Sequence, residues 1–379
     1  MSVSNSANWS GNIGEWGEAF VLLHLLAHNK LYNADSHGHK LEDEFGMVES
    51  VSRTETSGAE LEFVVGQEMI EILRNGEAAS EIPQDIFDEA AHSLFRELQE
   101  QKGNASHPQQ QLLESLGCES LKASSRMKAD LAARIYDGFI SSRIKRDYSV
   151  KTLIGGLPSL ANASSHSYID YEISGFNEPL AAEINSIKGN GWVVSRVKKV
   201  LEYSNDTPKP VIRSRVFERN LRRCYWNAPE AVGMAFLYGQ IHRGKPILES
   251  ILDLEENNPF GYQRDELEDY ENAIRRYLWG VVFDLDPGTL WKGPSQVDGY
   301  LVATDSEEVL AYQVSRQRSF ENYLLLHTHW DTPSTSRYKD IGRVWQREDG
   351  QWMFTLNCVV RYSQNEYAGR ERDFNRIVS

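Results

Sequence analysis

Apolar and polar positions alternate along this chain in a way that predicts both helices and strands. From Glu15 to Ala27 (EWGEAFVLLHLLA) the apolar residues are spaced for a buried helix, entered through Gly11 and Gly14. Residues 40–103 form an acidic stretch in which EFVV at 62–65 reads as a strand. The run from about Pro83 to Gln101 reads as a helix, because Asp85, Asp88 and Glu89 suit the positive end of a helix dipole. The polar run KGNASHPQQQ at 102–111 reads as a linker. A short helix (Gln111 to Leu116), a strand around Ala129 to Tyr136, a turn at Asp137-Gly138 and a second strand through DYSVKTLIGG at 147–156 follow. Successive strand residues point to opposite faces, so Tyr148 and Val150 share one face of that strand and Ser149 and Lys151 the other.

Helices are expected at about Pro179–Ile187, Gly191–Tyr203, Arg213–Asn227, Ala228–Arg243 and Arg264–Leu278. From Gln296 strands return: GYLVAT, EEVLAYQV, GRVWQ and WMFTLNCVVRY alternate well, and REDG joins the last two as a hairpin. No internal repeat is visible. The order of elements implies an α/β or mixed α+β class, with a mixed central sheet flanked by helices and an appended C-terminal α+β region.

Composition places the chain among globular proteins: 379 residues, 40% hydrophobic and 25% charged. No apolar run suits a membrane helix and the N-terminus lacks a signal-peptide pattern, so the expected location is the cytoplasm. Cys118, Cys224 and Cys358 are far apart and odd in number, which fits a reducing compartment. The net charge of −15 argues at first against a nucleic-acid partner, but the charge is segregated. Residues 1–100 hold 5 Lys+Arg against 19 Asp+Glu, whereas 188–223 hold 10 Lys+Arg, among them Lys198 and Lys199, against 3 acidic residues. RIKRD at 143–147 is a second basic run. A basic groove on an acidic body is the footprint of a DNA-binding enzyme; solvated helices with scattered cations are the plainer alternative.

Two neighbouring strands can bring Asp130 and Lys151 side by side, and Glu15 or Glu18 on the first helix could add a carboxylate. Phosphodiester cleavage uses these types: carboxylates hold Mg²⁺, and a lysine steadies the nucleophile and the developing charge. Spacing alone is a weak signal, since many sheets carry such a pair. HTHWD at 327–331 has a metal-ligand spacing but no partner histidines downstream, and His327 and His329 read as ends of an apolar helix. No nucleotide-binding GxxxxGK[ST] motif is present.

Several stretches carry a resemblance: GNIGEWGEAFVLLHLLAHNKLYNAD (11–35), LLESLGCESLKASSRMKADLAARIYD (112–137), SVKTLIGGLPSLANAS (149–164), GTLWKGPSQVDGYLVA, and FENYLLLHTHWDTPSTSRYKDIGRVWQREDGQWMFTLNCVVRY. In this order, from about residue 11 to 362, they resemble the HpaII family of type II restriction endonucleases. The resemblance implies a PD-(D/E)XK nuclease fold and Mg²⁺-dependent cutting of duplex DNA at a short palindrome such as CCGG, leaving 5′-phosphate and 3′-hydroxyl ends. Carried over, Asp130 is the metal-binding aspartate, Lys151 the catalytic lysine, and Glu18, or else Glu15, the helix glutamate completing the metal shell. Ser149 departs from the wider superfamily, which prefers a carboxylate two residues before the lysine.

On this reading residues 1–39 supply the first helix of the nuclease core and 40–105 an acidic, partly helical insertion. Residues 106–175 supply the core strands, 176–280 a helical basic region facing DNA, and 281–379 the α+β region for recognition. Arg337, with Ser334, Thr335 and Ser336, is the leading base or phosphate contact; Asn162, Ser164 and Ser165 are expected near the scissile phosphate or minor groove. Each of these stretches also suits an ordinary turn. Symmetric cutting is most simply done by a homodimer, with a monomer nicking each strand in turn as the alternative, and a host needs a companion methyltransferase. The rival from another class is an inactive or modification-dependent DNA-binding protein on the same fold, which Ser149 keeps open.

Overall fold

The computed structural model describes residues 9–121, 129–138, 141–293 and 297–363. The chain divides into two compact units, Met1–Pro158 with Ser295–Phe320, and Ser159–Pro294 with Glu321–Ser379. The first unit opens with α1 (Ile13–His28), β1 (Lys30–Ala34), β2 (Lys40–Thr54), β3 (Glu60–Val65), β4 (Met69–Arg74) and β5 (Glu77–Pro83). It continues through α2 (Asp85–Glu100), α3 (Gln110–Ser115), β6 (Leu131–Asp137) and β7 (Ser142–Thr152). The chain then enters the second unit with β8 (Ser159–Ala161), β9 (Tyr168–Ile173), α4 (Glu178–Ser186), α5 (Trp192–Tyr203) and β10 (Lys209–Ile212). There follow α6 (Arg215–Cys224), α7 (Ala228–Gly239), α8 (Ile247–Asn257) and α9 (Glu268–Val282). It returns to the first unit for β11 (Gly299–Ala303) and β12 (Val309–Gln313), and α10 (Gln317–His327) leads on to β13 (Thr328–Asp331), β14 (Arg343–Gln346), β15 (Trp352–Asn357) and β16 (Val359–Tyr362).

In the first unit, β1, β12, β11, β7, β6 and β2 pair in that order, and β1 pairs back onto β2. Six strands therefore close into a barrel, where the sequence suggested a sheet flanked by helices. Closure depends on β2, whose 15 residues pair with β1 through Phe45–Met47 and with β3 through Ser50–Thr54. A bulge between Val48 and Ser50 in its pairing with β6 supplies the bend. At the crossing a Cβ on Gly46 would stand 2.1 Å from Ile135 Cγ2, so only glycine fits. Strands β3, β4 and β5 extend the sheet as successive hairpins.

Helix α1 belongs to this unit's core. Asn12 caps it: the Asn12 side chain accepts from the Glu15 N–H at 3.1 Å, and Glu15 Oε2 accepts from the Asn12 N–H at 2.8 Å, a reciprocal capping box. Trp16, Gly17 and the run Ala19–Leu23 are buried with strand residues Val51, Ala133, Val150 and Leu301, as a helix apolar on every side requires. The 102–111 run is not a linker. Trp16 Nε1 donates to the Ala105 carbonyl at 2.9 Å, His107 lies edge-on to Trp16, and its ring nitrogens meet Glu97 and Gln101, so polar residues here tether α1 to α2.

The second unit holds an antiparallel sheet, β10-β9-β15-β14, and a smaller one, β13-β16-β8. Helix α7, buried along most of its length, packs on the larger sheet: Tyr171 donates its hydroxyl to the Gly233 carbonyl at 2.8 Å. The strands expected for one C-terminal region are thus divided, with β11 and β12 in the barrel and β14 to β16 here. His329 lies on β13 and not on a helix, because α10 ends at His327. No helix among the described residues is long and apolar enough to cross a membrane.

Candidate active site

Strand β7 lies inside the barrel sheet, between β6 and β11, so Lys151 is not on a sheet edge. Tyr148, Val150 and Thr152 are buried, whereas Asp147, Ser149 and Lys151 are half-buried on the other face, as the alternation predicted. Leu131 pairs with Tyr148, which sets Asp130, one residue before β6, beside Ser149. The Asp130 N–H donates to the Tyr148 carbonyl at 2.9 Å. Its Oδ2 accepts from the Val150 N–H at 2.7 Å and from the Ser149 hydroxyl at 3.1 Å. These bonds fix the carboxylate. Lys151 carries its ammonium 5.9 Å from the ring centroid of Tyr300 on β11, a cation–π placement.

The helix glutamates differ in their local work. Glu15 serves the capping box. Glu18 is half-buried and follows Gly17, where a Cβ would stand 2.6 Å from Thr152 Cβ. That close approach sets α1 against the buried Thr152 face of β7, opposite the face that carries Ser149 and Lys151. Asp147 was missed by sequence reasoning, although it stands two residues before Ser149 on the same face and lines, with Asp130, a small cavity of about 50 Å³. Burial, and then the charge of Asp298, pushes the Asp147 carboxyl above its ordinary pKa. The signal was present in the alternation of Asp147, Ser149 and Lys151. Among the described residues no three His, Cys, Asp or Glu side chains converge into a metal cage.

The same cavity is lined by Arg53 of β2, a second residue that sequence reasoning missed. Arg53 Nε stands 2.8 Å from Glu55 Oε1, with the two side chains 2% and 0% exposed. The guanidinium also donates to the carbonyls of Ser120, at 2.8 Å, and Leu121, at 3.2 Å. It therefore anchors the chain at Ser120 and Leu121. Burial raises the Glu55 pKa more than the attraction of Arg53 lowers it.

The residues expected to touch DNA lie in the second unit. Ser334 to Arg337 form an exposed turn in which the Arg337 N–H donates to the Ser334 carbonyl at 3.2 Å and the Ser334 and Ser336 hydroxyls meet at 2.7 Å; Thr335 is exposed between them. Tyr338 donates its hydroxyl to the Ala163 carbonyl at 2.7 Å, which brings this turn to the Asn162–Ser165 segment. Asn162 and Ser165 are exposed, while Ser164 is engaged in a local turn, accepting from the His166 N–H. Lys198 is exposed on α5, and Lys199 reaches Tyr203 and Glu202. Arg196, counted within the basic run, is buried and binds the carbonyls of Asn185, Ile187 and Gly342. It is structural, because a buried guanidinium must satisfy its donors.

The profile of the HpaII restriction endonuclease family matches residues 12–362. The chain is 28% identical over 364 residues to the type II restriction enzyme HpaII of Haemophilus parainfluenzae, which covers 93% of this chain and 99% of that protein. No solved structure matches the chain. The matched range takes in Glu15, Glu18, Asp130, Ser149, Lys151 and Arg337 alike, and the chain belongs to the HpaII restriction endonuclease family of type II site-specific deoxyribonucleases.

Proposed function

We propose that the chain hydrolyses both strands of duplex DNA at a short palindrome resembling CCGG, with Mg²⁺ held at Asp130. The observation that supports this best is the carboxylate of Asp130, fixed by the Ser149 hydroxyl and the Val150 N–H on the face of β7 that carries Lys151. Such a donor set fits Mg²⁺, which takes one or two carboxylates and completes its octahedron with waters and phosphate oxygens. Bound there, Mg²⁺ would supply Lewis acidity toward the scissile phosphate and the attacking water. Ser149 then has a role the wider superfamily pattern does not give it. Its hydroxyl orients Asp130, and the second carboxylate comes from elsewhere, from Glu18 or from Asp147.

Lys151 would steady the nucleophile and the charge that develops on the phosphate, in a partly buried position where such an interaction is stronger than in water. Lys151→Ala should lower the cleavage rate by about 10²-fold at unchanged affinity, a loss typical of removing one group that stabilises transition-state charge. Unchanged turnover would return Lys151 to a structural part. The two carboxylate candidates separate in the same assay. Whichever of Glu18→Gln and Asp147→Asn raises the Mg²⁺ concentration needed for half-maximal cleavage identifies the second ligand, and no shift in either would remove both.

Recognition is assigned to Arg337 with Ser334, Thr335 and Ser336, supported by Asn162, Ser164 and Ser165, while Lys198 and Lys199 would meet phosphates. Arg337 is exposed and has no ion-pair partner among the described residues, which suits a group kept for DNA. A homodimer would match its two-fold axis to the palindrome, and a cognate methyltransferase would protect the host. The test is a digest of unmethylated plasmid with purified protein, in Mg²⁺ and in EDTA, followed by sequencing of the fragment ends. Discrete Mg²⁺-dependent ends should give the site and the cut position. Retained binding without cutting, on methylated and unmethylated DNA alike, would replace the nuclease by a DNA reader on the same fold.

A further inference from the structure

Arg213, at the end of β10, is held more firmly than a surface cation needs to be. Its Nε and Nη2 donate to Asp170 Oδ2 and Oδ1 at 3.0 and 2.7 Å, and its guanidinium lies 4.5 Å from the ring centroid of Tyr168. Asp170 is buried and takes a third bond, from the Thr355 hydroxyl at 2.6 Å, and Trp345 Nε1 donates to the same hydroxyl at 2.9 Å. Strand register explains the convergence, because Asp170 stands directly opposite both Val211 and Thr355. The end of the guanidinium, Nη1 with the second Nη2 hydrogen, is not used up. Nη1 has no hydrogen-bond partner among the described residues, and the remaining Nη2 donor has only a 3.4 Å contact with Thr355 Oγ1. Arg213 faces a cavity of about 730 Å³ whose walls include Trp345, Trp352 and Arg343.

We infer that Arg213 is a guanine-reading residue of this protein, aimed by Asp170, Thr355 and Tyr168. An arginine that gives one edge to a buried carboxylate keeps its end-on fork, Nη1 with Nη2, in a fixed plane. That fork matches the two acceptors, O6 and N7, which guanine shows in the major groove. Pre-orientation removes the entropy that a free arginine loses on binding, and the buried Asp170 cannot give up its cation cheaply, so the plane is kept in the absence of DNA. Arg213 thus differs from Arg337, which sits on an exposed turn with no carboxylate partner. The inference rests on the proposed reading of the chain as a site-specific DNA-binding enzyme.

The test compares wild-type protein with Arg213→Lys, which keeps the charge and loses the fork. The cognate site is first mapped from fragment ends, and binding in Ca²⁺ is then measured on that site with each guanine in turn replaced by 7-deazaguanine, which lacks the N7 acceptor. Wild type should lose about 10- to 100-fold in affinity at one guanine per half-site, while Arg213→Lys should start that much weaker and be indifferent to the replacement there. A variant that stays as sensitive as wild type at every guanine would overturn the inference. Thermal melting shows whether the variant folds; should it not, Tyr168→Leu, which removes the ring under the guanidinium and leaves the Asp170 pair, should give a smaller loss confined to the same guanine. No loss there would count against the inference equally. Were wild type to cut nothing, the nuclease reading would fail separately. Duplexes selected by binding from a random pool would then decide: a guanine enriched by wild type and lost by Arg213→Lys supports the inference, and no enriched guanine overturns it.

Discussion

Asp130→Ala should abolish cleavage while leaving specific binding in Ca²⁺ within a few-fold of wild type. Asp130 is fixed by three hydrogen bonds to the C-terminal end of β7, from its own N–H to Tyr148 and to its carboxylate from Ser149 and Val150. Removing a metal-holding carboxylate forfeits the several kcal/mol of charge stabilisation a divalent ion supplies, and each 1.4 kcal/mol or so is tenfold, so the expected loss is about 10³-fold or more. Asp130→Asn is the sharper control. It can still accept from the Val150 N–H and keeps the local shape, so its loss measures the charge and not the fold. Ser149→Ala should cost less, because the Val150 N–H still holds Oδ2. Single-turnover cleavage with each variant, at saturating DNA and varied Mg²⁺, checks all three; full activity in Asp130→Ala would end the assignment of the metal to this residue.

Arg53→Ala should produce the largest change in stability, about 3–5 kcal/mol, the cost of removing one partner of a buried ion pair. It leaves the Glu55 carboxylate without its cation in a fully buried position and cuts the anchors to Ser120 and Leu121. The double replacement Arg53→Met with Glu55→Met should be far milder, since it removes the desolvation cost along with the attraction. Chemical denaturation of the four proteins in this cycle checks the prediction. A single variant no worse than the double would mean that the pair is solvated. The same residue predicts a functional effect at temperatures where Arg53→Ala is still folded: cleavage should fall with little change in DNA affinity, because Arg53 lines the same cavity as Asp130.

The elements with strong periodicity are legible in the amino-acid sequence. The alternation in DYSVKTLIGG places Ser149 and Lys151 on one face, and the all-round apolar run from Trp16 marks α1 as buried. Strand β2 is not legible in this way. KLEDEFGMVES is too acidic to look like a strand, because its first half is only half-buried, with Glu42 and Asp43 exposed, and full burial begins at Val48. The polar run at 102–111 misleads for the converse reason: its polar groups are spent on Trp16, Glu97 and Gln101, which composition cannot show.

Sequence by itself determined the residue types that phosphodiester chemistry calls for, the faces they occupy on their own strands, and the family to which the chain belongs. Tertiary structure alone decided which side chains meet across large separations. The closure of β1 onto β2, the union of Arg53 with Ser120 and Leu121, and the three-strand brace of Arg213 by Asp170 and Thr355 join residues far apart in the chain. Periodicity reports only which face of its own element a residue occupies. Strand order and register, set by burial of the whole core, decide what stands opposite that face.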